Sequence, residues 1–246
     1  MLNSSSGVWQ GAGVIEISLA RLSLMVLPLL VVAWLMVKWS GSAQELGVAT
    51  VRMVMQLLLV GYLLIFLFEG DQGWVTVLVV LFMMVVSALI AVRTIREQKW
   101  QAFGDALWAI GIGGGAVFFL VVFGVLEGGQ GFSARFVVPI AGMIFANAMT
   151  AVTLSAERYE AELRNEKDRK EAREAAWNAS LIPQINSFLA VGLVSLPGMM
   201  TGQILAGASP LDAVRYQILV MAMVLGSAGL AVAIFLSRRT AGESSN

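Results

Sequence analysis

The stretch that decides the fold is Val75-Thr-Val-Leu-Val-Val-Leu-Phe-Met-Met-Val-Val86, whose apolar run is interrupted only by Thr76. A strand of a membrane β-barrel would alternate apolar and polar residues over about ten positions, whereas this run is apolar on all sides. With its flanks it extends over residues 72–92, close to the ~20 residues that a helix needs to cross a bilayer core. The run therefore predicts a transmembrane helix.

Six further stretches have the same character. The seven predicted spans are residues 17–37, 48–68, 72–92, 103–125, 135–154, 181–205 and 213–236. Composition agrees, because 58% of the 246 residues are hydrophobic and only 13% are charged, about half the charged share of soluble domains. A soluble globule and a disordered chain are both excluded. The sequence predicts an all-α, polytopic membrane helix bundle that forms a single domain over residues 1–246.

Basic residues orient the predicted spans. Most of the 16 Lys and Arg residues fall in alternate connections or after the last span. The opposite connections carry acidic residues, among them Asp71 and Glu127. Because basic connections stay in the cytoplasm, we expect the N-terminus outside and the C-terminus in the cytoplasm.

The most strongly charged segment is Glu157–Glu174, with seven acidic and six basic residues and neither Pro nor Gly. Its i,i+4 pairs favour a helix. We predict one long cytoplasmic helix that continues out of the fifth span, within an extension over residues 155–180. Two interpretations remain open: a solvated helix without a partner, or a lever that a peripheral protein binds through Arg164, Lys167 and Lys170.

The sixth predicted span contains a helix-breaking motif within residues 192–207. Pro197 has no N–H and clashes with the preceding turn, and Gly198 follows it directly. Backbone groups freed in lipid are costly, so the break must be buried or face a wet cavity. The polar residues near it are Ser195, Thr201 and Gln203. The motif predicts either part of a substrate pathway, as in broken transporter helices, or a kink that only shapes packing.

Other polar residues lie within the apolar spans. Such residues usually face a bundle interior or a cavity. They are Arg52, Gln56, Asn147, Arg215 and Gln217. For the two arginines, extension toward the membrane interface is an alternative. We assign Gln56 and Asn147 to the predicted pathway, and Arg52, Arg215 and Gln217 to polar contacts inside the bundle.

Two further patterns concern helix packing. Gly111 and Gly115, like Gly142 and Ala146, have the small-xxx-small spacing that favours close helix approach. Ser209-Pro-Leu-Asp212 predicts an N-cap and the start of the last span.

Missing residues exclude several functions. The chain has no Cys and no His, which excludes disulfides, zinc fingers and Cys or His nucleophiles. No P-loop motif and no GxSxG or HExxH motif occurs. We therefore predict no enzyme activity and no cofactor in this chain, and its net charge of 0 gives no reason to expect nucleic acid.

The sequence resembles the FetB-type iron-export permease family. The resemblance is carried by Ser195–Gly207 with Ala213-Val-Arg-Tyr-Gln217, by the Arg52–Gln56 block and by Pro139–Asn147, and it covers roughly residues 15–237. It implies the membrane subunit of an ABC transporter that exports iron, or another metal or metal complex, with its ATPase on a separate chain. It also implies a permease homodimer in a bacterial inner membrane.

Two other functions remain open on the residues alone. One is an ATP-independent secondary carrier, and the other is a membrane receptor or scaffold that transports nothing. The thioethers of Met199 and Met200 beside the break could bind soft metals, although most of the 13 methionines are expected to pack against lipid or other helices.

Overall fold

The computed structural model describes residues 18–69, 73–95, 99–126 and 133–242. Asp71 and Glu127, used above to orient the spans, lie outside these ranges. The chain divides into an N-terminal unit, residues 1–70, and a C-terminal unit, residues 71–246. In the described ranges the secondary structure is helical, as the apolar runs predict, with an isolated β-bridge between Val191 and Ser195.

The N-terminal unit is a pair of long helices. Its elements are α1 (Leu19–Leu22), a 3₁₀ turn (Ser23–Met25), α2 (Val26–Ser40) and α3 (Gln44–Glu69). Gly41 ends α2 at φ 79°, a left-handed conformation that suits glycine, and its N–H donates to the Val37 carbonyl at 3.1 Å. No side chain described between residues 26 and 63 is buried. These apolar helices therefore need lipid or another surface to cover them.

The C-terminal unit is a bundle around one central helix. Its elements are α4 (Gly73–Ala91), α5 (Lys99–Ala109), a π-helical segment (Ile110–Gly114), α6 (Gly115–Phe119), a second π-helical segment (Leu120–Val125), α7 (Ala134–Arg164), α8 (Arg169–Ala190), α9 (Gly198–Leu205) and α10 (Pro210–Gly242). The central helix α7 contacts α4, α8 and α10. Alanines fill much of the core, which lets the helix backbones approach closely.

The glycine predictions need one correction. Gly115 has open space where a side chain would lie, and Gly111 faces only the flexible end of Met84. The residue that faces the α10 backbone is Gly113, between the two. The prediction failed because the π-helical turn around Gly113 changes which positions share a face.

Named contacts give the helix directions. Ser227 of α10 reaches the Ile144 carbonyl of α7 at 3.5 Å, and Arg239 lies 3.9 Å from Glu160, so α7 and α10 run parallel. In contrast, α8 and α10 run antiparallel. One cavity brings Trp177 beside Ala233, and a second cavity brings Phe188 beside Met221. The chain therefore reverses its direction twice, once between α7 and α8 and once again between α8 and α10.

Six helices in the described residues are long and apolar enough to cross a membrane. They are Ala20–Ser40, Gln44–Leu63, Gly73–Ala91, Lys99–Val125, Ala134–Arg164 and Pro210–Thr240. The predicted sixth span, residues 181–205, is not among them, because α8 ends at Ala190 and the helix resumes only at Gly198. The helical membrane fold is confirmed, whereas seven uninterrupted spans are not.

The charged segment also differs from its prediction. It is not one helix, because α7 ends at Arg164 and α8 begins at Arg169. Between them Glu166 adopts φ 59°, a conformation uncommon for residues other than glycine. Asn165 and Asp168 flank this turn, and both residue types compete with helical hydrogen bonds. The segment is a helical hairpin with charges on both arms.

Candidate functional site

The break in the sixth predicted span is a compact turn. Gly192 lies at φ 79°, and its N–H donates to the Ser195 carbonyl at 2.9 Å. The Ala190 carbonyl at the end of α8 accepts hydrogen bonds from Leu193, Val194 and Ser195. The turn therefore satisfies the last carbonyl of α8 with its own backbone, at a point where the side chains of Leu193 and Val194 are exposed.

Pro197 is the residue that starts the next helix. Its backbone is extended, with φ −61° and ψ 136°, and α9 follows from Gly198. Its carbonyl accepts hydrogen bonds from the Thr201 backbone N–H at 3.0 Å and from Thr201 Oγ1 at 3.1 Å. The Pro197 carbonyl is therefore paired, whereas a proline frees carbonyls of the preceding turn, whose contact with a substrate stays a prediction.

A cavity of about 410 Å³ lies beside the break. Its wall is formed by the end of α8, the turn, α9 and the first half of α10. The lining residues are Phe188, Val191, Gly192, Leu196, Pro197, Met200, Val214, Gln217, Ile218, Met221 and Ala222. A volume of this size, with an apolar wall and very few polar groups, is typical of a small-molecule site.

Gln217 gives the cavity wall its polar character. It is 7% exposed, and its Oε1 has no hydrogen-bond partner among the described residues. A buried amide without a partner costs about 1–3 kcal/mol, so such groups usually have a ligand or water to bind. The structure thus moves Gln217 from a general polar contact to the wall of the candidate site.

The structure brings together only part of the predicted pathway. Pro197 and Gln217 line the cavity, whereas Ser195, Gly198, Thr201 and Gln203 lie on the same turn and helix but not among its lining residues. The remaining predicted residues lie on other helices. Whether any of them contacts a substrate remains a prediction.

Asn147 is not among the residues that line the cavity, and Gln56 belongs to the N-terminal unit. Asn147 is half-buried on α7 and donates from Nδ2 to the Met143 carbonyl at 2.8 Å, a local bond within its own helix. Arg52 and Gln56 are exposed on α3 of the N-terminal unit. The sequence predicted that Arg52 and Gln56 lie inside a helix bundle. Within the N-terminal unit, both side chains are exposed instead.

Arg215 is part of the α10 start. It lies 3.4 Å from Asp212, and both side chains are exposed. The Asp212 N–H donates to Ser209 Oγ at 3.2 Å, and Ser209 Oγ donates to Asp212 Oδ2 at 2.6 Å. These two bonds form the predicted N-cap, which fixes the beginning of α10.

Sequence reasoning missed Phe188 and Met221 of the cavity wall, and it also missed one buried amide that lies outside the wall. Gln184 on α8 is 4% exposed, and its Oε1 also lacks a partner in the described part of the chain. The sequence did contain one signal for Gln184, because its amide side chain stands between Pro183 and Ile185 in the predicted sixth span. Phe188 and Met221 could not have been found, because nothing distinguishes them from packing residues before α8 and α10 are placed side by side.

The other end of the bundle carries buried charges. Glu162 is 3% exposed and is paired with Arg158 at 2.5 Å and with Lys167 at 2.7 Å. Asp105 at the start of the fourth predicted span is 6% exposed and accepts from Arg238 Nε at 2.8 Å. The Glu162 pairs tie α7 to the α7–α8 turn, and the Asp105–Arg238 pair ties α5 to α10.

This end also shows which of the predicted partner-binding residues are available. Lys167 is committed to Glu162, and Arg164 lies 3.8 Å from Glu160 with its side chain 68% exposed. Lys170 is exposed on the first turn of α8. Arg164 and Lys170 can therefore meet a partner without loss of a buried ion pair.

No group of three or more Asp, Glu, His or Cys side chains that could hold a metal ion lies within residues 18–69, 73–95, 99–126 and 133–242. The described wall of the cavity offers apolar side chains and the amide of Gln217.

Comparison with known proteins shows the family of the chain. The model of the uncharacterised protein family UPF0014 matches residues 17–241. The probable iron export permease protein FetB of Escherichia coli is 35% identical over 205 residues, covering 76% of this chain and 78% of its own. The UPF0014 membrane protein YjkA of Bacillus subtilis is 33% identical, covering 79% and 82%. The protein ALUMINUM SENSITIVE 3 of Arabidopsis thaliana is 34% identical, covering 75% and 71%. No solved structure matches.

Proposed function

Because the chain belongs to the UPF0014 family of membrane proteins, we propose that it is the membrane permease of an exporter for iron, or for another metal or metal complex, in a bacterial inner membrane. The likeness to FetB confirms the family resemblance, and the name of that relative supplies the direction and the cargo of the proposal. A separate ABC ATPase would drive transport, since this chain has no P-loop.

The observation that carries the proposal is the cavity at the helix break. Broken helices that line a cavity are the usual substrate sites of transporters. Here the turn at Val191–Pro197 forms one wall and the first half of α10 forms the other, and the buried amide of Gln217 lies between apolar neighbours. A scaffold that binds only other proteins has no need for such a cavity, and the transport assay below separates a receptor from a permease.

The directions of α7, α8 and α10 support a seventh membrane crossing that consists of two helical pieces. Because α7 and α10 run parallel, residues 165–209 must return the chain to the end from which α7 starts. We propose that α8, the turn and α9 make this crossing. The N-terminus would then lie outside and the C-terminus in the cytoplasm, as the distribution of basic residues indicates.

The α7–α8 hairpin is the proposed ATPase contact. Its turn lies at the end of the bundle that carries Arg238 and Arg239, which the positive-inside rule places in the cytoplasm. The pair Glu162–Lys167 would carry a force on the hairpin turn into α7, and the contact between Glu160 and Arg239 would carry it on to α10. We further propose that two copies of the permease pair in the membrane, where the exposed apolar helices α2 and α3 provide surface for lipid or a partner.

The test is export of radioactive iron from cells that lack their own iron exporters. Three strains are compared: one with the chain alone, one with the chain and its candidate ATPase, and one with an ATPase whose P-loop lysine is replaced. Export only with the intact ATPase is expected. Export by the chain alone would support a secondary carrier, and no export in any strain would support a receptor or scaffold. Either result would overturn the proposal.

A further inference from the structure

The cavity beside the helix break restricts the chemical form of its cargo. Nine of its lining residues carry apolar side chains, and Gly192 adds none. Gln217 is the one polar side chain among the lining residues that the structure describes. The wall thus resembles the surface that surrounds an organic molecule.

A hydrated metal cation does not match this wall. Divalent iron or magnesium would keep a shell of water or need several oxygen ligands in its place. The cavity offers one amide and the thioethers of Met200 and Met221, and none of its described lining residues is ionisable. Moving an uncompensated charge into apolar surroundings costs many kcal/mol.

The size of the cavity points the same way. Its volume of about 410 Å³ is more than ten times the ~30 Å³ share of one water molecule. It falls within the ~300–1,000 Å³ of pockets that hold organic ligands. A bare ion would leave most of this space without contact.

The amide of Gln217 would give the cavity specificity for a ligand that carries a hydrogen-bonding group. Gln217 is only 7% exposed, which means that it is 93% buried, and its Oε1 is unpaired among the described residues. A ligand that hydrogen-bonds with this amide would remove the penalty of an unsatisfied buried group.

We infer that the cavity takes its cargo as a neutral metal complex with an apolar outer surface, in which organic ligands enclose the ion and one polar group hydrogen-bonds with Gln217. The inference rests on the proposed function, since it names the form in which a metal would enter that pathway. It concerns binding alone, so it can be tested whether or not the chain proves to export.

The test is equilibrium binding to the purified full chain in lipid nanodiscs. The probes are radioactive tris(benzohydroxamato)iron(III), a neutral chelate with an apolar phenyl surface and N–H groups that can donate to Gln217 Oε1, and radioactive ferrous sulfate kept reduced and free of oxygen. Empty nanodiscs measure the chelate that dissolves in lipid. Saturable binding of the chelate, not displaced by excess ferrous ion, is expected.

Two matched pairs of variants locate the binding. Ala222→Trp fills the cavity from an exposed position of α10, and Leu230→Trp adds the same bulk at an exposed α10 position outside the lining. Gln217→Leu removes the amide in the wall, and Gln184→Leu removes an equally buried, unpaired amide outside the wall. We expect at least tenfold weaker chelate binding for Ala222→Trp and about fivefold weaker binding for Gln217→Leu, on the scale of one lost hydrogen bond. Both controls should bind like the parent.

Three results would overturn the inference. The first is chelate retention no greater than in empty nanodiscs. The second is chelate binding that Ala222→Trp leaves unchanged, which would place the ligand elsewhere. The third is saturable binding of ferrous ion that depends on Gln217, which would leave the proposed export function standing but make the free ion its cargo. If Ala222→Trp fails to fold, Ile218→Trp, also an exposed lining position, takes its place.

Discussion

Gly113 lies directly against the backbone of Ala231. A Cβ atom on Gly113 would be 2.6 Å from the Ala231 nitrogen and 2.8 Å from the Leu230 carbonyl carbon, closer than real atoms approach. The neighbours are backbone atoms of α10 and cannot turn away as a side chain could. The packing of the fourth predicted span on α10 therefore depends on the absence of a side chain at this position.

Replacement of this glycine should loosen the bundle. Gly113→Ala should cost about 1–3 kcal/mol, the usual range for overpacking, even though alanine favours helix by about 1 kcal/mol. Gly115→Ala is the matched control, because nothing lies within 4 Å of its Cβ position. Thermal unfolding in detergent, followed by tryptophan fluorescence, should show a lower Tm for Gly113→Ala and an unchanged or higher Tm for Gly115→Ala. Equal Tm values for the two variants would contradict the close contact.

The pair Asp105–Arg238 should contribute to stability more than an exposed pair. Its carboxylate is 8% exposed and its guanidinium 47%, with Nε and Oδ1 2.8 Å apart. A double-mutant cycle to alanine should give a coupling free energy of about 1 kcal/mol, discounted for the half-exposed arginine. The single change Arg238→Ala should cost more than Asp105→Ala, because it leaves a buried carboxylate without a partner.

The control for this cycle lies at the other end of α10. Asp212 and Arg215 are 67% and 81% exposed, so their coupling should be near zero and disappear in high salt. A coupling at Asp105–Arg238 no larger than at Asp212–Arg215 would show that burial adds nothing to the first pair.

Charge reversal on the α7–α8 hairpin should separate partner binding from folding. Arg164→Glu with Lys170→Glu should weaken ATPase capture in detergent and reduce export at near-physiological ionic strength, while Tm stays close to that of the parent. Lys167→Glu should instead lower Tm, because it places a second carboxylate beside the buried Glu162. If the double variant at Arg164 and Lys170 still captures the ATPase fully, these two residues of the hairpin do not bind the ATPase.

The helix break should be more important for transport than for membrane insertion. Pro197→Ala with Gly198→Ala removes the two residues that oppose helix by about 3 and 1 kcal/mol, so the variant should insert and accumulate at least as well as the parent. Iron export per molecule should fall, because a longer α9 would change the wall formed by Leu196 and Pro197. Growth in excess iron, normalised to the amount of protein in the membrane, measures this. Normal export by the variant at equal abundance would dissociate the break from the pathway.

Gly192 provides a separate probe of the same turn. At φ 79° an alanine is strained, so Gly192→Ala should cost about 1 kcal/mol, whereas Gly198→Ala lies in a helix with open space and should be neutral or stabilising. Comparison of the two Tm values tests whether the turn at Val191–Pro197 forms in the folded protein. A Gly192→Ala variant as stable as Gly198→Ala would argue for a continuous helix.

The apolar runs predicted the helices well, because about 20 apolar residues in a row have few other stable arrangements in a membrane. The start of α10 was also predictable, since Ser209 and Asp212 carry the local signal of an N-cap. The hairpin at Asn165–Asp168 was not predicted. The i,i+4 pair Glu166–Lys170 favours helix across the turn, whereas the side chains of Asn165 and Asp168 and the Glu162–Lys167 ion pair favour the turn.

The candidate site was predicted only in outline. Pro197 predicts a break in the helix, but α8 already ends at Ala190, because Gly192 two residues later allows the chain to turn. The cavity needs Phe188 from α8 and Met221 from α10 at the same level, which depends on the antiparallel packing of these two helices. Sequence spacing cannot supply that relation, since 33 residues separate the two positions.

Membrane insertion of residues 181–205 should depend on α10. The eight residues of α9 extend only about 12 Å, and the apolar end of α8 is similarly short, so neither piece alone matches a hydrocarbon core of ~30 Å. The bundle contacts of α8 and α9 with α10 must hold them at membrane depth. During synthesis, this crossing would therefore be completed only after α10 has left the ribosome and entered the bilayer. A chain that stops after Leu205 should leave its new end on the cytoplasmic side, whereas a chain that extends through Gly242 should carry the same position across.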